Sequence, residues 1–458
     1  MVEEYAAMTD QDWRRPLLAE GTRIDVPALR RDPSRWPSYR PATAVSAWRL
    51  PYAVIAAWDF SVYGGSFSED DATALAAACD AAVEAGLPLL TLVRSGGTRL
   101  QEGTAALVGI PRARVALTRL AAAGLAHLSV ADAPTTGGVW ISVVAGADLR
   151  AAVDGATVAF AGPRVVEAFT GVLPGPDSHT AESAYDAGLV DALLPADDVV
   201  GWLQAALRTL TSESTTPPAG EPADVPTRGG WEQVVAARSR TTGGAALLAE
   251  LLTDLVPLRA PGADATVAAV IGRLAGRPVV GVALAAQVGG RPTPNGYRLA
   301  TRAYRLAGRL RLPVLSLVDT PGADPGTASE EGGIAPAMGE ALDGLLTCHS
   351  PTLALVHGEG GSGGALAAAC ADVVLMTPES YFAPIGPEGA AAALRRPKEE
   401  CADRMRITPA DLLALGFADA VVPLSSVARH LAELVDRSDS ERLDRRAERW
   451  GRGLPGKL

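Results

Sequence analysis

Gly358-Glu359-Gly360-Gly361-Ser362-Gly363-Gly364-Ala365-Leu366 carries the densest chemical signal in the chain. The apolar run Leu353-Ala354-Leu355-Val356 precedes it, and the small-residue run Ala365-Leu366-Ala367-Ala368-Ala369 continues from it. That order predicts a buried strand, a glycine-rich turn and the start of a helix. Five glycines in seven residues let a backbone come close to a ligand and aim N–H groups at it. A helix N-terminus behind them adds partial positive charge, which suits an oxygen gaining negative charge. No Gly-Lys-Ser/Thr follows, and the spacing is not GxGxxG with a later acidic residue, so a nucleotide site is disfavoured. Ser362 sits in Gly-Gly-Ser-Gly-Gly, like a nucleophile elbow, but no His after an acid completes a hydrolase set.

Working outward, the same pattern occurs twice. Leu87-Pro88-Leu89-Leu90-Thr91-Leu92 matches Leu312-Pro313-Val314-Leu315-Ser316-Leu317, an offset of 312 − 87 = 225. Thr136-Gly137-Gly138 is set against Ser362-Gly363-Gly364, with 363 − 137 = 226. Gly162-Pro163 matches Gly386-Pro387 (386 − 162 = 224), and Gly188 matches Gly416 (416 − 188 = 228). Four matches in order mean a duplicated domain. Each copy alternates apolar strands with Ala-rich helices, which predicts an α/β fold with largely parallel sheets. The expected division is an N-terminal arm (1–45), a first domain (46–210), a Pro/Gly-rich linker (211–230), a second domain (231–440) and a polar tail (441–458).

Length and composition frame this reading. A chain of 458 residues with 48% hydrophobic and 20% charged residues has material for two or three cores. The net charge of −11 argues against nonspecific nucleic-acid binding. No stretch approaches a membrane span, and Met1 to Asp10 holds Glu3, Glu4 and Asp10 rather than a signal core, so cytoplasm is expected. Cys79, Cys348, Cys370 and Cys401 lack CxxC spacing and read as reduced, buried thiols, so no metal, zinc included, is expected. His349 and His357 flank a strand and read as structural.

Two glycine pairs, Gly137-Gly138 and Gly363-Gly364, thus follow strands, and we expect two anion-stabilising sites built from backbone amides. Packing glycines would leave the same trace. Ser95 to Gly103 forms a second polar loop at a strand's C-terminal end, with its counterpart at Asp319 to Gly326. Glu102, Asp319 and Asp324 could serve a ligand in these loops or cap helices, and for Asp319 and Asp324 helix capping is the favoured reading.

These motifs resemble a known family. Residues 50–200 are similar to the β subunit of bacterial acetyl-CoA carboxylase carboxyltransferase through Ser95-Gly96-Gly97-Thr98-Arg99-Leu100-Gln101-Glu102-Gly103, Pro134-Thr135-Thr136-Gly137-Gly138-Val139 and Phe160-Ala161-Gly162-Pro163-Arg164-Val165. Residues 230–425 resemble the α subunit through Gly296-Tyr297-Arg298, Asp319-Thr320-Pro321-Gly322-Ala323, Gly358 to Leu366, Pro387-Glu388-Gly389 and Ile407-Thr408. The layout looks like both subunits fused.

The resemblance implies two tandem ClpP/crotonase-like domains and a carboxyltransferase that moves a carboxyl group from carboxybiotin to the α-carbon of an acyl-CoA, such as acetyl-CoA or propionyl-CoA. Carried over, Gly137 and Gly138 would hold the thioester enolate oxygen, and Gly363, Gly364 and Ala365 the biotin ureido oxygen. Gly96, Gly97, Thr98, Arg99, Ala161, Gly162, Pro163, Gly322, Gly361, Ser362, Ala367, Gly386 and Pro387 would bind substrate, with Ala367 where the family tunes acyl size. A biotin carboxyl carrier protein and a biotin carboxylase are the implied partners, with biotin on the separate carrier because the chain has no Ala-Met-Lys-Met motif. A homo-oligomer, dimer or trimer of dimers, is implied, with no nucleic acid and no membrane. The β-subunit zinc ribbon is missing, and the Lys/Arg-rich segment expected before Gly296 shrinks to Val288 to Asn295. Two alternatives stay open: a biotin-independent decarboxylase or hydrolase of a malonyl-type thioester, and a non-catalytic thioester-binding subunit.

Overall fold

A computed structural model describes residues 12–27, 34–211, 223–437 and 439–454. Much of the expected linker (212–222) and the start of the arm (1–11) lie outside the described residues. The chain divides into two compact units, Met1–Ala205 and Ala206–Leu458.

The first unit holds one sheet of β1 (Thr22–Ile24), β2 (Val45–Arg49), β3 (Val54–Trp58), β4 (Leu89–Ser95), β5 (His127–Thr136), β6 (Leu149–Val153), β7 (Val158–Ala159) and β8 (Ala192–Leu194). Its order is β1-β2-β3-β4-β5-β6-β8, with β7 pairing the end of β5. The second unit repeats this with β9 (Thr253–Leu258), β10 (Val267–Leu274), β11 (Arg277–Leu284), β12 (Val314–Thr320), β13 (Thr352–Gly361), β14 (Val373–Met376), β15 (Tyr381–Ala383) and β16 (Ala420–Val421). The order is β9-β10-β11-β12-β13-β14-β16, with β15 on the end of β13. In each sheet the first three strands pair antiparallel and the rest parallel. Strands buried on both faces must be apolar throughout, as Leu315, Leu317, Leu353, Leu355 and Leu375 are in the second core.

Local chemistry sets the helix ends. Ser68 and Asp71 form a capping box on the Glu69–Ala85 helix, and Thr408 and Asp411 form one on Pro409–Leu415. The arm gives a short helix, Arg15–Ala19, but also strand β1, which extends the sheet beyond β2. The expected polar tail is instead part of a helix, Asp439–Arg452. Arg442, Arg446 and Arg449 fall on one face of it. Arg446 Nη2 meets Asp372 Oδ2 at 2.6 Å, and Trp450 Nε1 donates to the Ala371 carbonyl at 3.0 Å. The polar segment is therefore held by a carboxylate from a distant part of the chain that no local pattern reveals.

Candidate active site

The glycine-rich stretch corrects our reading first. β13 runs through Gly358, Gly360 and Gly361, and the helix Ser362–Ala369 starts directly after it, so these three glycines lie in the strand rather than in a turn. A Cβ on Gly358 would stand 2.0 Å from Asp319 Oδ1, one on Gly360 2.2 Å from Phe382 Cδ2, and one on Gly361 2.2 Å from the Pro321 carbonyl oxygen. They are packing glycines. The part that lines a cavity begins at Ser362.

The register of the repeat also shifts by one. β5 ends at Thr136 and β13 at Gly361 (361 − 136 = 225), so Gly137 stands with Ser362, Gly138 with Gly363 and Val139 with Gly364. Both junction residues are left-handed, Gly137 at φ 66° and Ser362 at φ 62°. The neighbouring loops correspond too. Gly97 (φ 104°) and Gly322 (φ 130°) each donate their amide to the residue two before, Ser95 Oγ at 3.2 Å and Thr320 Oγ1 at 3.1 Å.

Each unit therefore builds a cradle from two segments. In the second unit Gly322 N–H is tied to Thr320 and Asp324 N–H to the Pro292 carbonyl (3.0 Å), which leaves the Ala323 amide between them without a protein acceptor among the described residues. Gly364 packs on it so closely that a Cβ there would lie 2.5 Å from Ala323 N. The Ser362–Ala369 helix has no side-chain cap, so its first amides are unpaired within the helix. The first unit has the same parts. Gly96 N–H goes to the Gly64 carbonyl (2.9 Å), while the Thr98 amide lacks a protein acceptor among the described residues and lies beside Gly137.

Around the second cradle opens a cavity of about 760 Å³ lined by Gly322, Ala323, Ser362, Gly363, Gly364, Ala367 and Gly386, together with Arg238, Arg291 and Met338. It thus gathers most of the site residues expected in this unit. Gly361, Ala365 and Pro387 are buried beside it. Ala161, Gly162 and Pro163 follow β7 and start the Pro163–Thr170 helix of the first unit.

Several assignments need correcting. The Gly137 amide already donates to the Phe160 carbonyl (3.0 Å), so Gly138 and Val139, not Gly137, have the available amides there. Arg99 does not face a ligand. Its guanidinium is buried, pairs with Asp71 at 3.1 Å and bonds Ser66 and the Ala42 carbonyl, locking the loop to the helix start. Asp319 caps no helix but accepts the Glu359 amide across β12 and β13 (2.8 Å), and burial raises its pKa. Asp324 accepts from Ser329 Oγ rather than from a helix backbone, whereas Glu102 does cap, accepting from Glu69 N–H at 3.0 Å.

Sequence reasoning missed Ala323, Val139, Arg238 and Arg291. Thr98 + 225 gives 323, so the repeat itself could have found Ala323. Arg238 is held by Glu388 Oε1 at 2.5 Å and Glu359 Oε2 at 2.8 Å, with Tyr381 also donating to Glu359 at 2.7 Å. Glu388, then Glu359, keep its proton bound well above the usual arginine range. Behind the cradle His357 is buried, which pushes its pKa down to about 3 with help from the Arg240 charge. All four cysteines are free and buried. Among the described residues no helix is long and apolar enough to cross a membrane.

A family model described as acetyl co-enzyme A carboxylase carboxyltransferase-like matches residues 231–441. The acetyl-coenzyme A carboxylase carboxyl transferase subunits beta/alpha protein of Salinispora arenicola is 38% identical over 407 residues, 82% of this chain and 72% of that one. A probable biotin-dependent acyl-coenzyme A carboxylase beta3 subunit of Mycobacterium tuberculosis is 35% identical over 380 residues, 81% of this chain and 77% of that one. The solved structure of transcarboxylase 12S superposes with a TM-score of 0.78 at 24% identity, covering 95% of this chain and 90% of that one. The fold is that of the crotonase-type carboxyltransferases. The chain belongs to the biotin-dependent acyl-CoA carboxyltransferase family.

Proposed function

We propose that this chain is the carboxyltransferase component of an acyl-CoA carboxylase, acting on a short acyl-CoA such as acetyl-CoA or propionyl-CoA. It works as a homo-oligomer with a separate biotin carboxyl carrier protein and biotin carboxylase. The observation that carries this reading is the second cradle, with uncapped helix amides and the Ala323 amide beside a cavity of about 760 Å³. A ureido oxygen fits there, because Gly363 presents no side chain to the cavity and the donors converge from two segments.

The first cradle, with the Thr98, Gly138 and Val139 amides, holds the thioester carbonyl oxygen and stabilises the negative charge it gains when the α-carbon loses its proton. The second, with Ala323, Gly363 and Gly364, does the same for the ureido oxygen. When bound, carboxybiotin would supply CO2 by breaking its N–C bond and then a ureido nitrogen that accepts the α-proton; the enolate carbon bonds that CO2, so atoms and charge balance without a side-chain base. The remaining work of the chain is positioning, which Arg99–Asp71 and the Arg238–Glu359–Glu388 group provide by fixing the loops around each cradle. Ala367, on the cavity wall, is the position at which side-chain size selects the acyl group.

Malonyl-CoA incubated with the protein, with and without free biotin, tests the reading. Loss of malonyl-CoA that depends on biotin is expected. Loss at the same rate without biotin would replace it with a decarboxylase, and thioester binding without turnover would leave a non-catalytic subunit.

A further inference from the structure

The segment before the Pro294–Leu310 helix is short, and its two ends are pinned to the cradle loop. Thr320 Oγ1 donates to the Gly290 carbonyl at 2.8 Å, and Asp324 N–H donates to the Pro292 carbonyl at 3.0 Å. Arg291 lies between these two bonds and lines the cavity. Its Nη1 makes one long hydrogen bond, 3.4 Å to the Ala323 carbonyl, and no carboxylate of the described residues comes within 4.0 Å of it. The other wall cation, Arg238, already has two carboxylates. Of the acidic wall residues, Glu388 pairs with Arg238, Asp324 accepts from Ser329, and Glu330 makes no ion pair with Arg291 within 4.0 Å.

Ser362 adds a second observation. It occupies the left-handed junction where the first unit has Gly137, a conformation that strains an L-residue relative to glycine. Ser362 faces the cavity, and its hydroxyl bonds no other group of the described residues. The absent side chain of Gly322 leaves a space between the two. A Cβ there would be 3.7 Å from Arg291 Nη1, 4.0 Å from Ser362 Cβ and 3.4 Å from the Gly361 carbonyl oxygen.

We propose that Arg291 and Ser362 form a subsite for the carboxyl group in transit, holding its two oxygens over Gly322 beside the amide cradle. This rests on the carboxyltransferase reading. Among the described residues Arg291 supplies the one positive charge on that wall without a carboxylate partner, and the strained Ser362 keeps a hydroxyl where glycine would be easier. A guanidinium can bond a carboxylate in a fixed plane, and the pinned backbone on either side of Arg291 limits how far it can swing.

The test is calorimetric binding of malonyl-CoA and acetyl-CoA, which differ by the carboxylate alone, to wild type, Arg291→Gln, Arg291→Lys and Ser362→Ala. Arg291→Gln is expected to weaken malonyl-CoA about tenfold or more and to leave acetyl-CoA within about twofold. Arg291→Lys should recover part of the loss, and Ser362→Ala should cost a few-fold on malonyl-CoA only. Equal losses for both ligands, or none in Arg291→Gln, would overturn the subsite. Binding needs no biotin, so this outcome is separable from a failure of biotin-dependent turnover in the wild type, which would sink the functional reading instead.

Discussion

The two cradles share a backbone and differ in what surrounds it. In the first, a Cβ on Gly138 would collide with Ile110 Cδ1 at 2.1 Å; in the second, the equivalent Gly363 meets only Met338 Cε, at 3.4 Å. Behind the first, Arg94 and Asp132 form an ion pair at 2.5 Å. At the same positions behind the second (94 + 225 = 319 and 132 + 225 = 357) stand Asp319 and His357, which form no ion pair with each other among the described residues: Asp319 takes an amide and His357 Nδ1 meets Arg240 at 2.7 Å. The shared element is the placement of unpaired amides, which any sequence compatible with the strand–helix junction can supply. Side chains on either side were free to diverge because they do not carry that geometry.

The largest difference is expected from the same substitution made in both cradles. Gly363→Val places its side chain in the cavity without striking backbone, so carboxyl transfer should fall by about 10²–10³ with a thermal midpoint close to wild type. Gly138→Val should instead lose about 1–3 kcal/mol of stability by overpacking Ile110, and Ile110→Ala should restore it. Denaturation midpoints and turnover, read together, separate the two; equal thermal losses in both variants would erase the contrast.

A smaller effect comes from the groups behind the cradles. Folded His357 has a pKa of about 3 against 6.5 for an ordinary histidine, mainly through burial. The unfolded chain takes up the proton as pH falls through 6.5 and the folded chain does not until about 3, so stability present above 6.5 is lost on going down through that window. The slope contributed by one group is at most about 1.4 kcal/mol per pH unit. Urea midpoints of His357→Gln should fall less steeply with acid than wild type, and parallel curves would show that His357 is not buried neutral. The smallest effect concerns the junction itself. Gly137→Ser should cost about 1 kcal/mol, with the Cβ held 3.0 Å from Gly97 Cα, whereas Ser362→Gly should be neutral or slightly stabilising by chemical denaturation.

Much of this was legible from residues alone. Apolar runs such as Leu353 to Val356 marked the buried strands, and the recurring intervals marked the duplication. What failed has a physical cause in each case. Glycine looks the same whether it frees an amide or makes room for a neighbour, so Gly358, Gly360 and Gly361 read as loop when Asp319, Phe382 and Pro321 were the reason for them. Arg99 sits in a polar loop by sequence, and only the fold brings Asp71 to it. Arg291 and Arg238 come to the cavity from segments far from Gly363 in the chain, with nothing in their own surroundings to announce it.

The interval of 225 residues has a practical meaning. It holds from Ser95 and Thr320 through Thr136 and Gly361, and loosens only at Gly162/Gly386 and Gly188/Gly416. Between the two halves of each cradle the chain behaves as a measured span, in which one added residue would slide a donor off its mark. Stretches 95–136 and 320–361 are equal in length, so grafts that trade one for the other keep both ends in step.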